Sequence, residues 1–274
     1  MADKVRLCAP AKVNLTLGVR GRLPSGYHAL ESLVAFAAYG DVLTFEKASA
    51  TSFASNMSGG NDNLVMRAHD ALQSHIGQTL PVAIRLQKNL PIAAGLGGGS
   101  SDAAACLRGL IKLFALPVSA ADLSRLALSL GADVPVCLAA QPAWMTDIGG
   151  ALTPIGDLPA ADIVLVNPRH ALSTPLVFDA LQAGPLAAAK PLPPVFSGFD
   201  VMADYLRQHG NDLQAPALSL VADIADCLKA LVKAGGHYVA MSGSGASCFA
   251  LCPTGEGAAI AQAYGALRAD DWLV

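Results

Sequence analysis

Charge is scarce in this 274-residue chain: Asp, Glu, Lys and Arg together make up 14%, and aromatic residues only 5%. Lys and Arg number 18 against 21 Asp and Glu, a net charge of −3, and no long basic run exists, so nucleic acid is not an expected partner. Long apolar runs are missing too. The longest, Leu33 to Tyr39 and Val134 to Ala140, fall far short of the roughly 20 residues a spanning helix needs, so no membrane partner is expected. No stretch near the N-terminus has the apolar core of a secretory leader, and the chain reads as cytoplasmic. None of the six cysteines forms a C-x-x-C pair, which argues against a zinc ribbon or a thioredoxin-like site; they read as reduced core residues. Low hydrophobicity is what disorder requires, and with 53% hydrophobic residues it is absent here. The length fits one to two domains.

The patterning mixes strands and helices without strict alternation, which favours an α+β fold. Alternation predicts strands at 13–19, 41–47 and 81–86, with a turn-bearing loop at 22–28 and a polar loop at 49–62. Helical spacing begins at Asn63, with Asp62 as a candidate cap. It recurs after Ser100, with Ala103, Leu107, Leu110, Ile111 and Phe114 on one face. Ser119 and Asp122 form a capping pair for a further helix that ends at Gly131. Helices are predicted around 200–207, 216–234 and 256–268, and apolar segments at 237–241 and 248–251 flank a glycine-serine turn. A connector rich in Ala, Gly and Pro occupies 183–200, and a soft domain boundary falls near 152.

The stretch Pro91, Ile92, Ala93, Ala94, Gly95, Leu96, Gly97, Gly98, Gly99, Ser100, Ser101 carries the strongest chemical signal. Four glycines within five residues feed a periodic helix. Glycine lets the backbone approach a ligand closely, and free N–H groups at a helix start bind phosphate. It is not a P-loop, because no Gly-Lys pair exists in the chain, and Ser100 stands where the dinucleotide fingerprint needs its third glycine. Lys12 and Asp133, each at the end of an apolar element, gain meaning beside a phosphate loop. Phosphoryl transfer to an alcohol needs a carboxylate to accept the hydroxyl proton, and a lysine steadies the negative charge that develops. Tyr27, His28 and Phe178 are the aromatic candidates for a flat ligand group. The other histidines show no metal-ligand spacing, and a serine hydrolase finds no Gly-x-Ser-x-Gly at 98–102 or 242–246.

The segment from Pro91 to Ala105 resembles the nucleotide motif of the GHMP kinase superfamily. Pro10–Leu15, Gly26–His28, Leu130–Val136 and Ser242–Ala246 match in order, with support from Asp62–Leu64, Thr174–Phe178 and Asn211–Leu213. The Gly-Tyr-His segment and the extra glycine in the loop point to the branch acting on a cytidylated methylerythritol in non-mevalonate isoprenoid synthesis. The resemblance implies a two-domain α+β fold: a ribosomal-protein-like N-terminal module over 1–152 and an α/β-plait-like C-terminal domain over 153–274. It implies ATP and Mg²⁺ as cofactors, and a monomer or weak homodimer.

By the same resemblance Pro91 to Ser101 would wrap the ATP phosphates, and Asn63 and Lys88 would lie near adenine. Asp133 would be the base and Lys12 its partner. Asn14 would bind the acceptor, Tyr27 and Phe178 would sandwich cytosine, and His28 would hydrogen-bond its edge. The chain departs from the pattern at Val34, where an aromatic is expected, and at Ala93 and Ala94, where glycines are common. Asp102, a carboxylate beside phosphates, receives no catalytic role. A homoserine or mevalonate kinase has no base to stack on these aromatics, and a non-catalytic nucleotide-binding regulator would not need Lys12 and Asp133.

Overall fold

The computed structural model describes residues 3–57, 63–181, 183–184 and 186–274. In chain order the elements are β1 (Lys4–Asn14), β2 (Gly18–Arg22), β3 (His28–Lys47), β4 (Ser52–Ser55), α1 (Leu64–Ile76), β5 (Val82–Gln87), α2 (Gly98–Phe114), α3 (Ala120–Leu130) and α4 (Val134–Ala139). There follow β6 (Ala143–Asp147), β7 (Ala151–Pro154), β8 (Asp162–Asn167), α5 (Thr174–Ala180), α6 (Phe199–His209), α7 (Gln214–Leu220), α8 (Asp223–Lys233), β9 (Tyr238–Met241), β10 (Cys248–Cys252), α9 (Gly257–Leu267) and β11 (Trp272–Leu273).

The chain forms two compact units that interleave along the sequence. One comprises Met1–Lys12, Phe36–Leu90 and Gly97–Gln141; the other comprises Val13–Ala35, Pro91–Leu96 and Pro142–Val274. In the first, the later part of β3 pairs antiparallel with β5, β4 lies parallel on the outer edge of β5, and β1 pairs with β3. Helices α1 to α4 belong to this unit. Helix α2 is its centre: Ala103 to Leu107, Leu110 and Leu113 are buried. Each buried leucine contributes about 1.5–3 kcal/mol.

In the second unit the early part of β3 pairs antiparallel with β2 and β6, and β6 with β7. A separate antiparallel sheet runs β11-β8-β10-β9. Alternate residues Cys248, Ala250 and Cys252 of β10 meet Val164 and Val166 of β8 in one core with Ile224, Cys227 and Leu231 of α8 and Ile260 and Tyr264 of α9. Among the described residues no helix is long and apolar enough to cross a membrane.

Several expectations are corrected. The strand expected at 13–19 is broken: β1 ends at Asn14 and β2 begins at Gly18. Between them the Leu15 N–H bonds the Leu33 carbonyl, and Ser32 Oγ receives Asn14 Nδ2 at 2.7 Å, so inward polar side chains turn the chain. The strand expected at 41–47 is the end of the 20-residue β3. The polar loop expected at 49–62 contains β4, whose backbone groups find partners on the open edge of β5. The helix expected at 216–234 is two helices, parted where Val221 is extended. Asn63 is the N-cap of α1, its side chain accepting from the Val65 N–H; Asp62 lies outside the described residues. All six cysteines are free, but only five are core residues, since Cys8 is exposed.

A buried charge cluster pins α2 in place. Asp41 on β3 is fully buried and accepts the N–H groups of Asn89 (2.6 Å) and Leu90 (2.8 Å) through Oδ1. Its Oδ2 takes the Lys88 ammonium, which also reaches Asp102 Oδ2 on α2 at 2.9 Å. Two buried carboxylates therefore share one ammonium, and Asp102 Oδ1 has no partner. Burial and the nearby Asp41 charge outweigh Lys88 and raise the Asp102 carboxyl to about 7. Although burial opposes the lysine's charge, the two carboxylates hold Lys88 above its ordinary value.

An acid whose folded pKa is raised binds more protons folded than unfolded, so its contribution is present at low pH and is lost as pH rises. For Asp102 the window runs from its ordinary 3.8 to about 7. Asp102→Asn should therefore gain stability relative to the parent chain as pH rises through this window. Chemical denaturation at pH 5, 6, 7 and 8 checks this; a constant difference between the two proteins would refute it.

Candidate active site

The glycine segment passes from the second unit to the first between Leu96 and Gly97. Gly95 (φ 73°) and Gly97 (φ 63°) both lie in the left-handed region. A Cβ on Gly95 would sit 2.5 Å from the Ser242 carbonyl oxygen, and one on Gly97 would sit 3.1 Å from Cβ of Lys12. Glycine is thus required by conformation and by space at both positions. Ala93 is also left-handed (φ 53°), without the glycine advantage. Ala94 and Leu96 are buried and anchor the segment, whereas Ile92 and Ala93 are exposed.

Gly97 caps α2 without any side-chain bond. The first-turn N–H groups of Gly98, Gly99 and Ser100 have no partners within the helix and carry its partial positive charge. Ser101 is different: its hydroxyl donates to the Pro10 carbonyl at 2.8 Å and its N–H to Gly97, so it fastens the helix start rather than opening it.

Lys12 and Asp133, 121 residues apart, meet in the first unit at 2.8 Å. The Lys12 side chain is 5% exposed and that of Asp133 35%. Asp133 occupies the N-cap position of α4 yet makes no capping bond, so its carboxylate is committed to Lys12 and keeps an accessible side. Asn14, two residues after Lys12, is buried; its side chain donates to Ser32 Oγ.

The aromatic candidates gather in the second unit. Tyr27 ends the turn before β3 and is 65% exposed. The His28 and Phe178 rings stack, with centroids 4.9 Å apart and an interplanar angle of 19°. That spacing leaves no room for a base between these two rings, so His28 is not one slice of a sandwich with Phe178. Phe178 lies on α5, whose first residue, Thr174, hydrogen-bonds Ser244 of the glycine-serine turn (2.8 Å between the oxygens).

Asn63 and Lys88 are both already engaged, Asn63 as the cap of α1 and Lys88 between Asp41 and Asp102. Reading the sequence missed Asp41 and left Asp102 without a partner, because residues 41, 88 and 102 share no local pattern. It also missed the role of Ser242, whose hydroxyl accepts the Asn14 N–H at 3.1 Å and donates to the Gly95 carbonyl at 3.0 Å. The repeated Ser-Gly at 242–245 was the available signal.

Known proteins resemble this chain over nearly its whole length. The model of the GHMP kinases N terminal domain matches residues 63–141, and that of GHMP kinases C terminal matches 198–268. A 4-diphosphocytidyl-2-C-methyl-D-erythritol kinase of Mesorhizobium japonicum is 45% identical over 97% of this chain and 92% of its own length. One of Ruegeria pomeroyi is 46% identical over 95% and 93%. A crystal structure of 4-(cytidine 5'-diphospho)-2C-methyl-D-erythritol kinase superposes with a TM-score of 0.78 at 34% identity, covering 98% of each chain. A homoserine kinase from Cytophaga hutchinsonii shares the fold, with a TM-score of 0.67 at 17% identity over 100% of this chain and 95% of its own. Full-length identity well above that of a shared fold, together with the glycine loop and the Lys12–Asp133 pair, makes this chain a member of the 4-diphosphocytidyl-2-C-methyl-D-erythritol kinase family of GHMP kinases.

Proposed function

We propose that this kinase transfers the γ-phosphoryl group of ATP to the 2-hydroxyl of 4-diphosphocytidyl-2-C-methyl-D-erythritol, in the non-mevalonate route to isoprenoid precursors. The observation that carries the chemistry is the Lys12–Asp133 ion pair, with the Lys12 stem against Gly97 at the start of α2. The substrate follows from the named relatives.

In this reading Asp133 accepts the hydroxyl proton as the oxygen attacks Pγ. The bond from Pγ to the bridging oxygen breaks, and ADP leaves with that electron pair. Lys12 orients Asp133 and stabilises the charge spreading over the transferring group. The segment from Pro91 to Ser101 wraps the phosphates, its part being played by backbone N–H groups of Gly98, Gly99 and Ser100. Asn63 and Lys88 flank the adenine, Lys88 through its stem, since its ammonium is held by two carboxylates.

Among the described residues no three His, Cys, Asp or Glu side chains gather to hold a metal. Mg²⁺ bound with ATP would neutralise phosphate charge, and it would rely largely on phosphate and water rather than on a cage of side chains.

Tyr27 and Phe178 are assigned to cytosine, His28 to its edge, and Asn14 to the acceptor. The exposure of Tyr27 and the aromatic pair made by His28 and Phe178 support a place for a flat base. Homoserine and mevalonate offer no base for it. Residues 1–152 and 153–274 are taken as the N- and C-terminal GHMP domains, on the support of family models that match on either side of 152. We further propose a cytoplasmic monomer or weak homodimer.

Asp133→Asn should lower kcat by about 10²–10⁴-fold, the usual worth of a general base, with ATP binding kept. Coupled ADP release and nucleotide titration check this; near-normal kcat would remove Asp133 from the role. Phe178→Ala should raise KM for the cytidylated acceptor by about tenfold, matching one lost base stack of about 1–3 kcal/mol, with KM for ATP unchanged. Equal effects on both substrates would refute the stacking assignment.

A further inference from the structure

The motif Asn211-Asp212-Leu213, between α6 and α7, has no part in the chemistry above, yet its first side chain is fully engaged inside the second unit. Asn211 Nδ2 donates to two carbonyls, those of Met241 and Gly243, each at 2.8 Å. Its Oδ1 accepts the Leu213 N–H at 2.9 Å. The backbone around it is fixed too: the Leu17 N–H bonds the Gly210 carbonyl at 2.9 Å and the Asp212 N–H bonds the Leu17 carbonyl at 2.8 Å.

The residue between those two carbonyls is Ser242, which is fully buried. Its hydroxyl is the hub between the Asn14 N–H and the Gly95 carbonyl. The Ser247 N–H adds a bond to the Ala94 carbonyl at 3.2 Å. Gly243 leaves so little space that a Cβ there would lie 3.1 Å from the Gly95 carbonyl oxygen. One amide therefore grips the backbone on both sides of the residue that fastens the glycine segment.

We infer that Asn211 is a positioning residue for the phosphate-binding segment, acting through Ser242 on Gly95 and touching neither substrate. The inference rests on the reading that this segment binds ATP. The chemistry demands an amide. Two carbonyl oxygens at 2.8 Å need two N–H donors, whereas a carboxylate of the same shape would place a negative charge against both. Asn211→Asp is consequently worse than Asn211→Ala, which lets water reach the carbonyls.

Gln214 supplies the control. Its Oε1 accepts the Met241 N–H at 2.9 Å, so it holds the same strand end from the first residue of α7, but it makes no bond to Gly243. Three variants, Asn211→Ala, Asn211→Asp and Gln214→Ala, are compared by nucleotide titration without acceptor, by kcat, and by thermal melting. Loss of two hydrogen bonds corresponds to about a tenfold loss of ATP affinity for Asn211→Ala. Asn211→Asp should lose more, and Gln214→Ala should keep parental ATP affinity even where its melting temperature falls as far.

Equal loss in Gln214→Ala and Asn211→Ala would mean general loosening and would overturn the inference, as would Asn211→Asp binding ATP like the parent. Gly97→Ala, placed in the segment itself, separates the two levels. ATP affinity lost there but kept in the Asn211 variants overturns the inference alone; affinity kept in all of them overturns the phosphate-loop reading as well.

Discussion

Burying two carboxylates against a single ammonium is the constraint around which the first unit is organised. Asp41 on β3, Lys88 just after β5 and Asp102 on α2 must meet for any of them to be tolerated away from water, since an unpaired buried charge is far too unfavourable. Their meeting fixes the rotation of α2 about its axis and its height over the sheet. The helix start, with its free N–H groups, is aimed by that requirement. Removing Lys88 would leave Asp41 and Asp102 buried without a cation, so its first duty is to the fold.

The Lys12–Asp133 pair obeys the same logic on a smaller scale. Lys12 is almost wholly buried, and Asp133 is the group that makes its burial possible. Asp133 in turn sits where a helix start favours negative charge, with no capping bond to distract it. The pair is therefore set before any substrate arrives, as electrostatic preorganisation requires.

What could be read from the sequence follows the range of the forces involved. The glycine segment, α2 as a helix, the Ser119–Asp122 cap and the strands flanking Ser242–Ser247 are local patterns and were legible. The single buried face expected of α2 was not: the helix is buried on nearly all sides over 101–107, and Ile111 and Phe114 stay half-exposed. Strand β3 was seen only at its end, because Phe36 to Tyr39 is apolar on both faces and breaks the alternation. Strand β4 was invisible because its residues are polar and small; the open edge of β5 recruits it. The ion pairs join residues tens to more than a hundred positions apart, where no spacing rule applies. Lys12 and Asp133 were reached from the chemistry that a phosphate loop demands, and through resemblance, rather than from periodicity. Asp102 looked out of place beside phosphates, and the structure removes the difficulty by burying it against Lys88 with its carboxyl raised to about 7. Among the aromatic candidates, Phe178 stacks on His28, a preference that ring packing decides and the sequence does not encode.

Ala93 has one more consequence. A left-handed alanine carries strain of about 1 kcal/mol that glycine would avoid, and with Ala94 it narrows the range of shapes open to the segment before a ligand arrives. A loop with fewer alternatives loses less disorder on closing around a polyphosphate. In the reading proposed above, this segment trades a little native stability, relative to a glycine-rich counterpart, for a smaller entropy penalty on binding ATP.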